Sequence, residues 1–380
     1  MLTKAGRLGG TALVEHVQQL KPQIKQLTLF PSELCNYRCS FCHIWGETGW
    51  ALKEPQRAIR EQLDIDVLKG FLGQVTEDNK NLNVIITGGE PMLYKNFTEL
   101  VSYLRSRKAN VYLLTNGSLI KNKVDFILEN IVALNISIDG PEEFHDSIRG
   151  KGSFKTICEN IDSLIKAKRE RKKMFPFINI TMVLSKYNYQ SVKDFMRALR
   201  ERFPNESVVL HNSRDPWSKR RDLSVNLAPL LFTSQERGLA YAEQMKEHLD
   251  CDVSAAWQGF VEDDIGMDTQ ALKRDLEELW AEEGIDTSHF VDIHEYFEDI
   301  ENVFGRTKCV APWHEMVIRR TGDVYPCVDF PDYKYGNIYE NSFQEMWEGE
   351  RATTFRNYLR NDNLLVCNRC TRMFADAESF

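Results

Sequence analysis

From residue 24 to about residue 211, short apolar runs alternate with amphipathic stretches. The apolar runs are Ile24–Phe30, Leu82–Thr87, Val111–Thr115, Leu134–Ile138, Ile178–Leu184 and Val208–His211, several of them rich in Val and Ile. Short continuous runs of this kind predict strands covered on both faces, as in a parallel sheet. Between them, Asp64–Val75, Asn96–Arg107, Phe154–Lys168 and Ser191–Phe203 carry apolar residues at helical spacing. In the third, Phe154, Ile157, Ile161, Leu164 and Ile165 form one stripe. The basic run Lys166 to Lys173 sits where a helix C-terminus favours positive charge. Six strand–helix repeats with short loops predict an α/β fold with right-handed parallel winding, an open sheet or a partial barrel.

Near Asp215 the rhythm changes. Residues 215–308 read as mainly helical, with Leu272, Leu276, Leu279 and Trp280 on one face, and suggest an insertion or bridging region. Beyond it, Met316–Arg320 and Asp323–Tyr325 flank Gly322 as a small hairpin would, and Phe343–Trp347 reads as a helix. The expected organisation is an N-terminal extension (1–23), an α/β unit (24–214), the bridging region (215–308) and a small α+β unit (309–380).

The 380 residues can bury a large core. No apolar run reaches the roughly 18 residues a membrane helix needs, and residues 1–20 lack a signal-peptide core, so a cytoplasmic protein without membrane partners is expected. The net charge of −8 conceals residues 262–301, fifteen acids against Lys273 and Arg274. Such a distribution offers nucleic acid no basic face; it reads as a solvated helical surface or an attractor for a cationic partner.

Seven of the nine cysteines fall into two spaced sets. Cys35, Cys39 and Cys42 follow the first predicted strand, on the face where a parallel sheet gathers its active loops. Tight spacing and an odd count favour metal ligation over disulfides. Three thiolates on a four-iron cube leave one iron open to another ligand. Zinc with a fourth ligand such as His43 is the competing reading.

The spacing Cys-x3-Cys-x2-Cys, with Phe41 before the last cysteine, resembles the radical S-adenosylmethionine superfamily. The resemblance spans about residues 24–211 and implies a partial (βα)6 TIM-like barrel. It further implies that Cys35, Cys39 and Cys42 hold a [4Fe–4S] cluster whose open iron chelates S-adenosylmethionine. Reductive cleavage would then give a 5′-deoxyadenosyl radical that abstracts hydrogen, with a flavodoxin or ferredoxin type protein as reductant. By the same resemblance Phe41 would lie against the adenine. Gly88 and Gly89, in Thr87-Gly-Gly-Glu-Pro91, would allow close backbone approach to the ligand, and Glu90 would receive its ammonium. Asn116, Ser137 and Asp139 resemble the ribose- and methionine-contacting positions. Arg149 resembles the arginine that pairs with the ligand's carboxylate.

Cys309, Cys327, Cys367 and Cys370, with Gly322 five residues before Cys327, resemble the C-terminal auxiliary-cluster extension called SPASM or its shorter twitch form. The full SPASM extension has seven cysteines, whereas four follow residue 300 here. The resemblance therefore implies one fully ligated [4Fe–4S] cluster; structural zinc is again the alternative.

Cys158 falls beside its helical stripe and reads as core. Cys251, as a hydrogen donor, and His211, at the end of the sixth strand, remain weak catalytic candidates. The expected substrate is a small polar molecule, a sugar or polyol, oxidised or epimerised. A peptide-modifying maturase is the alternative, weakened by the short stretch before the first strand, which leaves no room for a leader-peptide-binding domain. A non-catalytic binding or electron-transfer module is a third reading, opposed by the open coordination position beside Glu90 and Arg149.

Overall fold

The computed structural model of the protein describes residues 18–47, 49–211, 223–253, 255–263, 265–283, 293–299 and 308–370. All six expected strands form: β1 (Gln26–Leu29), β2 (Asn83–Ile86), β3 (Asn110–Thr115), β4 (Ala133–Ser137), β5 (Phe177–Leu184) and β6 (Val208–His211). β1 to β5 pair in sequence order and in parallel. Parallel strands need crossovers, which are supplied by α1 (Ile65–Thr76), α2 (Phe97–Ser106), α3 (Val124–Asn130), α4 (Glu142–Arg149), α5 (Ser153–Glu170) and α6 (Val192–Arg202).

Local chemistry sets these helices. Asp64 caps α1 by accepting from the N–H groups of Asp66 and Val67 at 2.9 and 3.1 Å. The stripe of α5 is buried throughout, and each such side chain taken from water stabilises the fold by about 1.5–3 kcal/mol.

Two features depart from the sequence reading. A further strand, β7 (Leu223–Pro229), lies in the region read as helical and inserts in parallel between β5 and β6. Its cause is a period-two pattern in which Leu223, Val225 and Leu227 alternate with Ser224 and Asn226. The rest of that region is helical where described: α7 (Gln235–Leu249), α8 (Thr269–Glu283), α9 (Ile293–Glu298) and a 3₁₀ turn at Ala255–Phe260.

The expected hairpin forms as β8 (Glu315–Ile318) and β9 (Asp323–Tyr325), but β8 also pairs in parallel with β1. The C-terminal unit thus extends the main sheet, whose order is β10-β9-β8-β1-β2-β3-β4-β5-β7-β6, with β10 at Gly336–Asn337. Buried Glu315 of β8 accepts from Thr28 Oγ1 of β1 at 2.7 Å. A capped helix α10 (Phe343–Trp347), α11 (Glu350–Asn361) and a 3₁₀ turn at Leu365–Arg369 complete the described chain.

Candidate functional site

The loop leaving β1 carries the first cysteine set. Trp45 Nε1 donates to the Glu33 carbonyl at 2.6 Å and anchors the loop's return. Each sulfur faces a donor: Tyr37 N–H (3.4 Å) and Asn116 Nδ2 (3.8 Å) at Cys35, Arg149 Nη1 (3.6 Å) at Cys39, and Trp45 N–H (3.3 Å) at Cys42. The thiols are partly exposed and not joined by disulfides. Burial pushes Cys35 up to about 11, reinforced by the charges of Glu90, Cys39 and Cys42, so the three sulfurs stand in one another's field. Thiols so placed ionise when a metal supplies positive charge.

The glycine pair serves the loop itself. Gly88 has φ +123°, and a Cβ there would stand 2.3 Å from the Ser32 carbonyl oxygen; one on Gly89 would stand 2.2 Å from that of Leu34. Both glycines are required by the protein's own backbone, whatever they also admit of a ligand. They let the β2 exit loop press on the backbone that carries the cysteines, joined by Glu90 N–H to the Leu34 carbonyl at 2.8 Å.

Glu90 is fully buried. Its carboxylate accepts from Thr115 Oγ1 (3.0 and 2.9 Å), Asn116 N–H (2.9 Å) and Met92 N–H (3.2 Å), all neutral donors. Burial raises its pKa to about 7 despite them. A carboxylate held this way in low dielectric is matched to a cationic ligand group.

At the end of β4, Asp139 is buried and its Oδ2 accepts from Arg149 Nε at 2.5 Å. Its Oδ1 accepts from Val183 N–H, and its own N–H donates to Nδ1 of buried His145. Asp139 therefore orients Arg149, which reaches past it to Cys39. Ser137 is half-buried opposite Thr181 of β5, and Phe41 is half-buried between Cys39 and Cys42.

The second set gathers beside the β8–β9 hairpin. Cys327 accepts from Phe330 N–H at 3.4 Å, and Cys370 lies 3.9 Å from Asp329 Oδ2. Burial pushes the Cys327 thiol up to about 12, and Cys367 and Cys370 well above the ordinary thiol range; Cys309 is among the charges acting on all three. Gly322 has φ +85°, and a Cβ there would meet the Tyr339 ring at 2.5 Å. Among the described residues no three His, Cys, Asp or Glu side chains close on the position of a single metal ion; in each set the thiols are neighbours rather than a closed mononuclear cage.

The bridging region joins the two sets. The Phe260 ring lies 5.2 Å from that of His43, next to Cys42, and 5.8 Å from that of Phe330, three residues past Cys327. Cys158 is core, as expected, with its thiol pushed up to about 12. Cys251 is buried just past the end of α7 and donates to the Asp332 carbonyl at 3.5 Å. His211 pairs through its backbone with Asn226; its side chain lies outside the described residues. Sequence reading missed Thr115, which holds Glu90, and Arg319, at the exit of β8. The second had a visible signal, a basic pair at a strand's C-terminal end.

Three partly exposed thiols, a buried carboxylate held only by neutral donors and a second set of four thiols fit an iron–sulfur enzyme that binds an amino-acid-like cation. Residues 29–201 match the model of the radical S-adenosylmethionine superfamily, and residues 309–371 match a model described as an iron-sulfur cluster-binding domain. The chain is 26% identical over 369 residues to the serine-type anaerobic sulfatase-maturating enzyme of Bacteroides thetaiotaomicron, covering 90% of this chain and 78% of that protein. Its fold is similar to that of anSMEcpe with bound AdoMet (TM-score 0.56, 18% identity, 87% and 82% of the two chains). It is also similar to Streptococcus suis SuiB bound to precursor peptide SuiA (TM-score 0.58, 15% identity, 95% and 74%). The two matched models support an enzyme of radical chemistry with a catalytic and an auxiliary [4Fe–4S] cluster and S-adenosylmethionine. Among the described residues no helix is long and apolar enough to cross a membrane.

Proposed function

We propose that this enzyme modifies a side chain of a peptide or protein. When bound, the catalytic cluster and S-adenosylmethionine supply a carbon radical able to take hydrogen from an unactivated carbon. Cys35, Cys39 and Cys42 hold the cluster. Glu90 receives the ammonium of S-adenosylmethionine. Arg149, oriented by Asp139, answers its carboxylate and donates to Cys39. Asn116 and Ser137, at the ends of their strands, would meet its ribose, and Phe41 would lie against its adenine. Cys309, Cys327, Cys367 and Cys370 hold the auxiliary cluster.

The observation that carries the peptide reading is the extent of the resemblance to the sulfatase-maturating enzyme. It covers 90% of the chain, far more than the two cluster-bearing regions alone. The similar SuiB, whose structure holds a precursor peptide, supports the same reading at the level of the fold. The sugar or polyol substrate expected from the sequence accordingly gives way to a peptide. A flavodoxin or ferredoxin type reductant and a cytoplasmic location complete the proposal.

The test is anaerobic reconstitution with iron and sulfide, followed by dithionite, S-adenosylmethionine and peptides encoded beside the gene, with a sugar and polyol panel in parallel. Formation of 5′-deoxyadenosine together with hydrogen loss from a peptide supports the proposal. Hydrogen loss from a sugar alone would reject it.

A further inference from the structure

Where β8 leaves the sheet, two consecutive arginines behave differently. Arg320 is fully engaged: Nη1 lies 2.6 Å from Glu33 Oε2, Nε lies 2.9 Å from Glu61 Oε2, and the guanidinium covers the Trp50 ring at 4.1 Å. Arg319 turns toward the second cysteine set. Its guanidinium lies 3.8 Å from the Phe30 ring, at the root of the first cysteine loop, and Nη1 lies 3.8 Å from Glu33 Oε1. Nη2 donates at 2.6 Å to the carbonyl of Val328, the residue bonded to Cys327. Its Nε is buried and has no hydrogen-bond partner.

A buried N–H left without an acceptor is unfavourable. A guanidinium cannot escape the cost by losing its proton. The same guanidinium already bonds the residue next to Cys327, so the second cysteine set is a source for the missing acceptor. Iron–sulfur clusters present such acceptors, since hydrogen bonds to their sulfurs are one of the factors that set their potential. The charge of Arg319 acts on Cys327 and also on His43, beside Cys42.

We propose that Arg319 is a positioning residue of the auxiliary cluster, giving its Nε–H to a sulfur at Cys327 and raising that cluster's reduction potential. The inference rests on iron–sulfur occupancy of the second cysteine set. Reduction adds a negative charge to a centre already made anionic by four thiolates, so a fixed buried cation stabilises the reduced form more than the oxidised one. An auxiliary cluster held in this way is the better electron acceptor.

The experiment is a potentiometric titration of the anaerobically reconstituted full chain followed by electron paramagnetic resonance. The two reduced signals are separated by adding S-adenosylmethionine, which perturbs the catalytic one. In Arg319→Met the reduced-to-oxidised ratio of the auxiliary cluster at fixed potential falls roughly tenfold, a midpoint lower by about 59 mV for one electron. Arg319→Lys, which keeps the charge, recovers at least half of the shift, and the catalytic midpoint stays in place. An unchanged auxiliary midpoint in Arg319→Met, or Arg319→Lys no better than Arg319→Met, overturns the proposal. If Arg319→Met does not load iron at the second set, Arg319→Gln is judged by the same criterion. A wild-type protein with zinc and no auxiliary signal would remove the occupancy on which the inference stands, whatever the variants do.

Discussion

Glu90 gives the most direct test of the ligand site. Its carboxylate is fully buried, and burial raises its pKa from 4.5 to about 7. In the ligand-free protein the raised value makes ionisation unfavourable to folding. The stability it lends is complete below about pH 4.5, is lost as pH rises through about 7, and is level above that. The full difference of about 2.5 pH units corresponds to roughly 3 kcal/mol. An ammonium placed against Glu90 needs the ionised form, so binding pulls the proton off. Affinity for S-adenosylmethionine should then fall tenfold for each pH unit below 7, and Kd should be about 25-fold weaker at pH 5.5 than at pH 7.5. Calorimetry across that range, on protein with its clusters loaded, measures the slope. Glu90→Gln keeps the shape and removes the charge; it should bind more weakly at pH 7.5 and show a flat profile. A wild-type Kd that does not change with pH, or a Glu90→Gln profile as steep as the wild type's, would refute the assignment.

Gly89→Ala places a Cβ 2.2 Å from a backbone oxygen. The displaced loop should cost about 1–3 kcal/mol and lower iron uptake at the first set, read by iron analysis beside a thermal melt. Leu164 on α5 is fully buried, and Leu164→Ala should lose about 2–5 kcal/mol of stability in denaturant unfolding without selective loss of either cluster. Cys251→Ser should leave both 5′-deoxyadenosine formation and substrate product in place, because the thiol is spent on the Asp332 carbonyl; loss of product with 5′-deoxyadenosine retained would restore it as a hydrogen donor.

Much of the parallel sheet could be read directly because strands covered on both faces leave continuous apolar runs, and β1 to β6 each carry one. β7 has only Leu223, Val225 and Leu227 on alternate positions, in a region that the sequence pattern reads as mainly helical. Its place between β5 and β6 is a non-local fact that no window of sequence contains. The pairing of β8 with β1 is of the same kind. At the site, cysteine spacing located both sets because metal ligation fixes residue type and interval together. The glycines announced a close approach to a ligand, and the structure adds one that the sequence did not, to the Ser32–Leu34 backbone. Thr115 was hidden for a different reason, since a hydroxyl takes its role from a partner elsewhere in the chain, and the Arg319–Arg320 pair was visible without the partners that give each its role.

The β1–β8 pairing also bears on how the protein comes off the ribosome. Thr28 and its partner Glu315 are 287 positions apart, and at about 5–20 residues per second the second emerges some 15–60 s after the first. Until then β1, whose loop carries the first cysteines, has one flank without β8, and such an edge invites pairing with other chains. A cell making this enzyme quickly at high temperature should accumulate aggregates seeded by the nascent N-terminal half. Slower synthesis, which spaces nascent chains further apart in time, should raise the soluble yield before any question of iron supply arises.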